Sequence, residues 1–129
     1  MKKPKLSTLK KKCWKLFSEY IRRKYANKRG YAVCVTCGVK KHWRELQAGH
    51  FIDGRTNAIL FNEECVHPQC VKCNIYLSGN KVEYFRFMQK KYGDETIDKL
   101  RKIARWSVKF YPHELEEKIK EYKQKLEAL

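Results

Sequence analysis

No apolar run in the sequence approaches the roughly 20 residues needed to span a bilayer. The first residues are basic but lack the apolar stretch and small-residue cleavage pattern of a secretory leader. Internal repeats and low-complexity linkers are also missing, which excludes solenoids and tandem arrays. Acid is scarce: 14 Asp and Glu face 30 Lys and Arg, for a formal charge of +16. Such an excess says little about fold, but it selects polyanionic partners. Together these absences leave an intracellular, cytoplasmic chain of one domain's size that acts on nucleic acid and not on membrane.

The acid deficit is uneven. Residues 1–29 carry twelve Lys or Arg and a single acid, Glu19. Residues 30–112 carry fourteen against eight, and residues 113–129 four against five. The polyanion-binding surface is therefore expected on the N-terminal segment first and on the middle second.

What the chain does have is six cysteines. In a reducing compartment they argue for metal and against a disulfide framework. Four form two C-x-x-C pairs, Cys34/Cys37 and Cys70/Cys73. Two intervening residues let one tight turn aim both thiolates at a single ion, and two such turns complete a tetrahedron around Zn²⁺. Gly38 directly follows the first pair, where the backbone must turn sharply. A closed four-cysteine site has no open position, so this zinc is structural.

Apolar residues recur at three- and four-residue steps over 6–28, predicting a helix capped by Ser7 or Thr8 and ended by Gly30. Cys13 lies on its apolar side. Tyr31, Val33 and Val35 alternate, as do Leu46, Ala48, His50 and Ile52, predicting a hairpin that carries the first knuckle. Residues 53–69 read as an irregular loop. A helix is expected from near Cys70, with Lys72 at its N-terminus and a break at Ser78-Gly79, where Asn80 would cap the next run. Helices follow over about 80–92, from Asp94 or Thr96, and from Pro112 onward with a stripe of Leu115, Ile119, Tyr122 and Leu126. The fold expected is α+β: a small zinc-stabilised treble-clef core over 31–93, a basic helix over 1–30 and a helical extension over 94–129.

Between the cysteine pairs stand Gln47-Ala-Gly-His-Phe-Ile and His67-Pro-Gln-Cys-Val-Lys-Cys-Asn74, followed by Leu77-Ser-Gly-Asn80 and Glu83-Tyr84. This ordered set resembles the HNH (ββα-metal) nuclease motif and, more narrowly, the NinG/Rap recombination proteins of lambdoid phages. The resemblance covers about residues 30–95. It implies an endonuclease that cuts branched DNA, such as Holliday junctions or D-loops, in the host cytoplasm with Mg²⁺ or Mn²⁺. His50 would be the general base and Asn74 a metal ligand. An imidazole suits the role because its ordinary pKa lies near the working pH. The chain departs from the pattern twice. Gly49 stands where a ligand often precedes the base, and Cys65 stands where the central Asn is expected. A thiol is a poor partner for hard Mg²⁺. His67 is the first choice to replace the missing ligand, with Asn62, Asp53 and Glu64 behind it; Cys65 with His67 could instead bind a softer metal.

Phosphate contacts are expected from Lys10, Lys11, Lys12, Lys15, Arg22, Arg23, Arg55, Lys72 and Lys81. Trp43 reads as a base-stacking residue at the hairpin tip. Phe51 and Tyr76 read as core, and His42 and His113 as surface residues. A non-enzymatic, zinc-stabilised nucleic-acid-binding module explains charge and zinc equally well. The final amphipathic stripe could also serve a homodimer or a recombination-protein partner.

Overall fold

The computed structural model describes residues 3–129, so the basic tip expected over 1–5 lies partly outside the described residues. Helix α1 spans Leu6–Arg23 and buries Leu9, Cys13, Phe17 and Ile21, one residue per turn. It starts before Ser7 and Thr8, which therefore do not cap it, and it stops short of Gly30. The Asn27 side chain ends it by accepting from the backbone N–H groups of Arg29 and Tyr31, a local turn that competes with further helix.

Strands β1 (Tyr31–Val33) and β2 (Lys40–His42) form an antiparallel hairpin around the first cysteine pair. Its inward residue is Ala32; Tyr31 and Val33 face out, opposite to the face their apolarity suggests. A 3₁₀ turn, Trp43–Glu45, leads into β3 (Leu46–His50). Strand β3 pairs with β4 (Val66–Cys70) in a second antiparallel sheet, with Gln47 opposite Gln69 and His50 opposite Val66. The expected loop over 53–69 is thus replaced by a short helix α2 (Asn57–Leu60) and a buried strand. All five residues of β4 are buried, so the segment shows no alternation, and Pro68 further masks it. Phe51 N–H bonds Cys65 C=O, which puts Pro68 three steps on at a pair whose N–H groups point outward. Its missing N–H costs nothing there, and its carbonyl accepts from Val35 N–H.

After β4 comes a short helical segment near Cys70, as expected: a single wide turn, Lys72–Tyr76, closed by Leu77 N–H to Lys72 C=O, which ends just short of the break at Ser78-Gly79. Asn80, in a left-handed conformation, precedes α3 (Lys81–Lys91) but gives it no side-chain cap. Helix α4 spans Asp94–Ala104 behind Gly93, so neither Asp94 nor Thr96 caps it. Helix α5, Pro112–Glu127, starts at the expected proline.

The stripe of α5 is spent inside the molecule. Leu115, Ile119 and Tyr122 are buried, and the Tyr122 ring meets Phe17 of α1 edge-on at 5.2 Å. Glu63 ties the same region together, accepting from Lys24, Tyr122 Oη and Lys125 at 3.2, 2.9 and 2.8 Å. One apolar cluster takes residues from all three expected segments, from Leu9 through Tyr84 to Tyr122. A second, smaller one joins Ala32, Leu46 and three of the paired cysteines. The result is a small mixed α+β domain. Among the described residues, no helix is long and apolar enough to cross a membrane.

Candidate metal centre and His50 cleft

The sulfurs of Cys34, Cys37, Cys70 and Cys73 all lie within 4.8 Å of one another. Cys34 leaves β1, Gly38 turns the chain at φ +81°, Cys70 ends β4, and Cys73 sits in the wide turn. The two pairs meet because β3 returns beside β4 with Leu46 opposite Cys70. Cys37 and Cys70 sulfurs are 3.7 Å apart. Zn–S bonds near 2.3 Å in a tetrahedron put sulfurs about 3.8 Å apart, so the donor set fits zinc. Cys73 N–H and Asn80 Nδ2 each reach a ligand sulfur at 3.5 Å, orienting the thiolates. Burial opposes ionisation of Cys34, but hydrogen bonds from Thr36 and backbone N–H groups overcome it and bring this thiol down to about 6. The four cysteines therefore form a cluster able to hold a structural metal such as zinc.

His50 ends β3 and faces a cleft of about 320 Å³ that is also lined by Trp14, Asp53, Arg55, Asn74 and Lys81. Its ring stacks on Trp14 with centroids 5.3 Å apart and planes 16° from parallel. The Arg55 guanidinium covers the same Trp14 ring at 4.5 Å. His50 Nε2 lies 3.2 Å from Leu60 C=O. A carbonyl can only accept, so Nε2 carries the proton and Nδ1 keeps its lone pair. Burial, reinforced by Arg55 and Lys81, lowers the His50 pKa to about 4, although the Leu60 carbonyl works the other way. The imidazole is neutral at physiological pH.

Asn74 reaches the cleft from the wide turn, donating from Nδ2 to Gln47 Oε1 at 2.7 Å. Gly49 has no room for a side chain. A Cβ there would collide with Gln69 Oε1 and come within 2.9 Å of Asn74 Oδ1. Gln69 is fully buried, donates to Thr36 Oγ1 and Gly79 C=O, and leaves Oε1 without a hydrogen bond. The missing ligand of the motif is thus a space already filled.

His67 is not in the cleft. It is 2 % exposed, and both ring nitrogens are engaged. Tyr84 Oη donates to Gly49 C=O at 2.7 Å, so it accepts from His67 Nδ1 at 3.1 Å, and Tyr92 Oη donates to His67 Nε2 at 2.8 Å. Burial first, then Lys91 and Lys24, push its pKa down to about 3. His67 braces the backbone just before His50, and its nitrogens are unavailable to a metal. Cys65 is fully buried, outside the cleft lining, and burial raises its thiol pKa. Asn62 folds back on its own loop, accepting from Glu64 and Cys65 N–H groups, and Glu64 pairs with Lys99.

Two further grooves share Trp14 and Arg55 with the His50 cleft. One carries Lys10 and Lys11, and the other Arg22 and Arg44. Lys12 and Lys15 are exposed on the same helix. Arg23 pairs with Glu19. Lys72 is exposed, but a five-residue turn gives it no long helix N-terminus. Trp43 follows β2 and does not tip the hairpin; Arg22, Arg23 and Arg44 lie 4.8–5.4 Å from its ring centroid and compete with any base for its faces. Tyr76 overturns its core assignment at 79 % exposure, while Phe51 is buried as expected. The sequence reading missed Trp14, Arg44 and Gln69. Trp14 lies one residue from Cys13 at the edge of the apolar stripe, a position that periodicity assigns to packing alone.

The family described as Bacteriophage Lambda NinG protein matches residues 1–129, the whole chain. Protein ninG of Escherichia phage lambda is 34% identical over 105 residues, covering 74% of this chain and 47% of that protein. Protein ninG of Salmonella phage P22 is 33% identical over 105 residues, with the same shares. Protein ninG of Escherichia phage 933W is 34% identical over 84 residues, 58% of this chain and 39% of that protein. The chain thus spans about half the length, or less, of these relatives. No solved structure matches it.

Proposed function

The chain belongs to the NinG family, and from that premise we propose that it is a metal-dependent, structure-selective endonuclease. Its substrate is branched DNA, Holliday junctions or D-loops, in phage recombination in the host cytoplasm. The core is read as a treble clef of the HNH type, on the order of knuckle hairpin, strand pair and second cysteine pair, held by structural zinc on Cys34, Cys37, Cys70 and Cys73.

One observation carries this reading: a neutral imidazole with a free Nδ1 lines a cleft beside two cations, Arg55 and Lys81. His50 Nδ1 takes a proton from water, and the water oxygen bonds to phosphorus as the bond to the leaving oxygen breaks. The Nε2–H bond to Leu60 C=O fixes the tautomer, and Trp14 fixes the ring plane. A pKa near 4 keeps the base unprotonated, and an anionic phosphodiester in the cleft raises its basicity during reaction. Arg55 and Lys81 hold the phosphate and offset its charge. The hard oxygens that would hold Mg²⁺ or Mn²⁺ are Asn74 Oδ1 and, once it leaves Lys81, the Asp53 carboxylate, a set that would suit an ion which keeps several waters. Such an ion, when bound, would offset the negative charge that develops on the leaving oxygen. Lys10, Lys11, Lys12, Lys15, Arg22 and Arg44 track the flanking backbone by shape and not by sequence. A homodimer would match the two-fold symmetry of a junction, and a recombination protein is the second class of partner.

A second reading, a zinc-stabilised DNA-binding module without activity, is favoured by the filled space at Gly49 and the engaged nitrogens of His67. Cleavage of a labelled four-way junction with Mg²⁺ and then Mn²⁺ separates the two. The natural chain should cut, and His50→Ala should lose about 100-fold or more, the usual contribution of a general base. Absence of cutting with either metal, with junction binding retained, leaves the binding module.

A further inference from the structure

Lys81 is built into the cleft in an unusual way. Its ammonium donates to His50 C=O at 3.0 Å, to Phe51 C=O at 2.9 Å and to Asp53 Oδ1 at 3.0 Å. Three donors therefore meet three oxygens. Two of those oxygens belong to backbone at the end of β3 and fix the ammonium beside His50. The third differs, because the Asp53 side chain is 86 % exposed and sits on a turn. An ion pair that exposed is screened by solvent and weak, so another anion can replace it. The backbone is also cleared for this lysine. Gly79, at φ +94°, would bring a Cβ within 2.8 Å of Lys81 Cε and 3.0 Å of Nζ. Arg55 and Asn74 line the same cleft, so an anion arriving at Lys81 meets a second cation and an amide.

We propose that Lys81 is the phosphate-anchoring cation of the His50 cleft and that the Asp53 carboxylate holds the anion position until a substrate phosphodiester displaces it. The proposal deepens the endonuclease reading and rests on it. With Asp53 on Lys81 the free protein keeps the ammonium aimed into the cleft. With phosphate there instead, two carbonyl bonds persist and the third passes to a phosphate oxygen. The scissile group is then held next to His50 Nδ1 by a donor that cannot wander, and Asp53 is released to the cleft mouth.

The test is binding of inorganic phosphate to the zinc-loaded full chain at constant ionic strength, followed through the His50 ring protons. The natural chain should bind. Asp53→Asn should bind about threefold tighter or more, as removal of a competing exposed pair predicts. Lys81→Met should lose about tenfold or more, as loss of a charge-assisted contact predicts. In the Lys81→Met background, Asp53→Asn should gain nothing. Glu83→Gln, which removes an exposed acid paired with Arg86 on the same helix, should leave affinity unchanged. Zinc content and helical circular dichroism serve as fold controls. The proposal is overturned if Asp53→Asn binds no tighter, if its gain survives without Lys81, or if Glu83→Gln gains as much. A natural chain that cuts junctions while Asp53→Asn shows no gain loses this inference alone. A natural chain that neither binds phosphate nor cuts loses both.

Discussion

Gly49 shows how one residue is fixed by its neighbours. It lies opposite His67 on β4, Tyr84 Oη bonds its carbonyl, and the Gln69 amide fills the place of a side chain. An aspartate introduced to restore a motif ligand would therefore displace a fully buried glutamine. Gly49→Asp should lose about 1–3 kcal/mol in urea unfolding, the usual cost of overpacking. Gly49→Asp combined with Gln69→Ala should recover part of it. A single variant as stable as the natural chain would refute the steric account. Position 49 was legible in the sequence as a departure from the pattern. Its cause was not, because Gln69 stands twenty residues away and nothing local marks it as the occupant.

At the scale of elements, the four-cysteine cluster joins pieces that have little else in common. Beside it lies a small apolar cluster of Ala32, Cys34, Leu46, Cys70 and Cys73. That is too little buried area to hold the β1–β2 hairpin against chain entropy. Without a cation, four thiols facing one point cannot all ionise. The α1–α5 pair has its own contacts through Phe17, Tyr122 and Glu63. Chelation should therefore abolish amide protection over residues 31–42 and in the turn bearing Asn74 while sparing α1 and α5. Hydrogen exchange with and without chelator reads this directly, and release of about one zinc per chain should accompany it. Unchanged protection in the hairpin would sink the structural role. The cysteine spacing made the knuckles legible. Strand β4 was not, because a fully buried strand has no alternating face and its own residues include His67, Pro68 and Gln69.

Across the whole molecule, two histidines are held neutral by burial. His50 and His67 fall to about 4 and about 3 from the ordinary 6.5. Between 6.5 and those values the unfolded chain binds more protons than the folded one, so stability rises with pH in that window. It is fully present above 6.5 and is lost on acidification at up to about 1.4 kcal/mol per histidine per pH unit. Urea midpoints should fall between about pH 6.5 and 4. In His50→Gln, whose side chain does not titrate, the slope should drop by the His50 share, up to about 1.4 kcal/mol per pH unit. Equal slopes would mean that His50 is not held neutral. Thiolate protonation at the metal cluster adds to the acid sensitivity of both proteins alike.

Local sequence suffices for the two cysteine turns, the basic N-terminal helix, the apolar stripes of α1 and α5, and the place of Cys13 in the core. Each is encoded within a few residues, by ligand spacing or by the 3.6-residue helical period. Tertiary structure decided the rest. It directed His50 into the cleft and turned His67 inward to two tyrosines, although both histidines stand in motif-like positions. It left Tyr76 in solvent, buried Cys65, and set Trp14 against the His50 ring. These outcomes depend on which distant side chains share the available volume, and no local period records that.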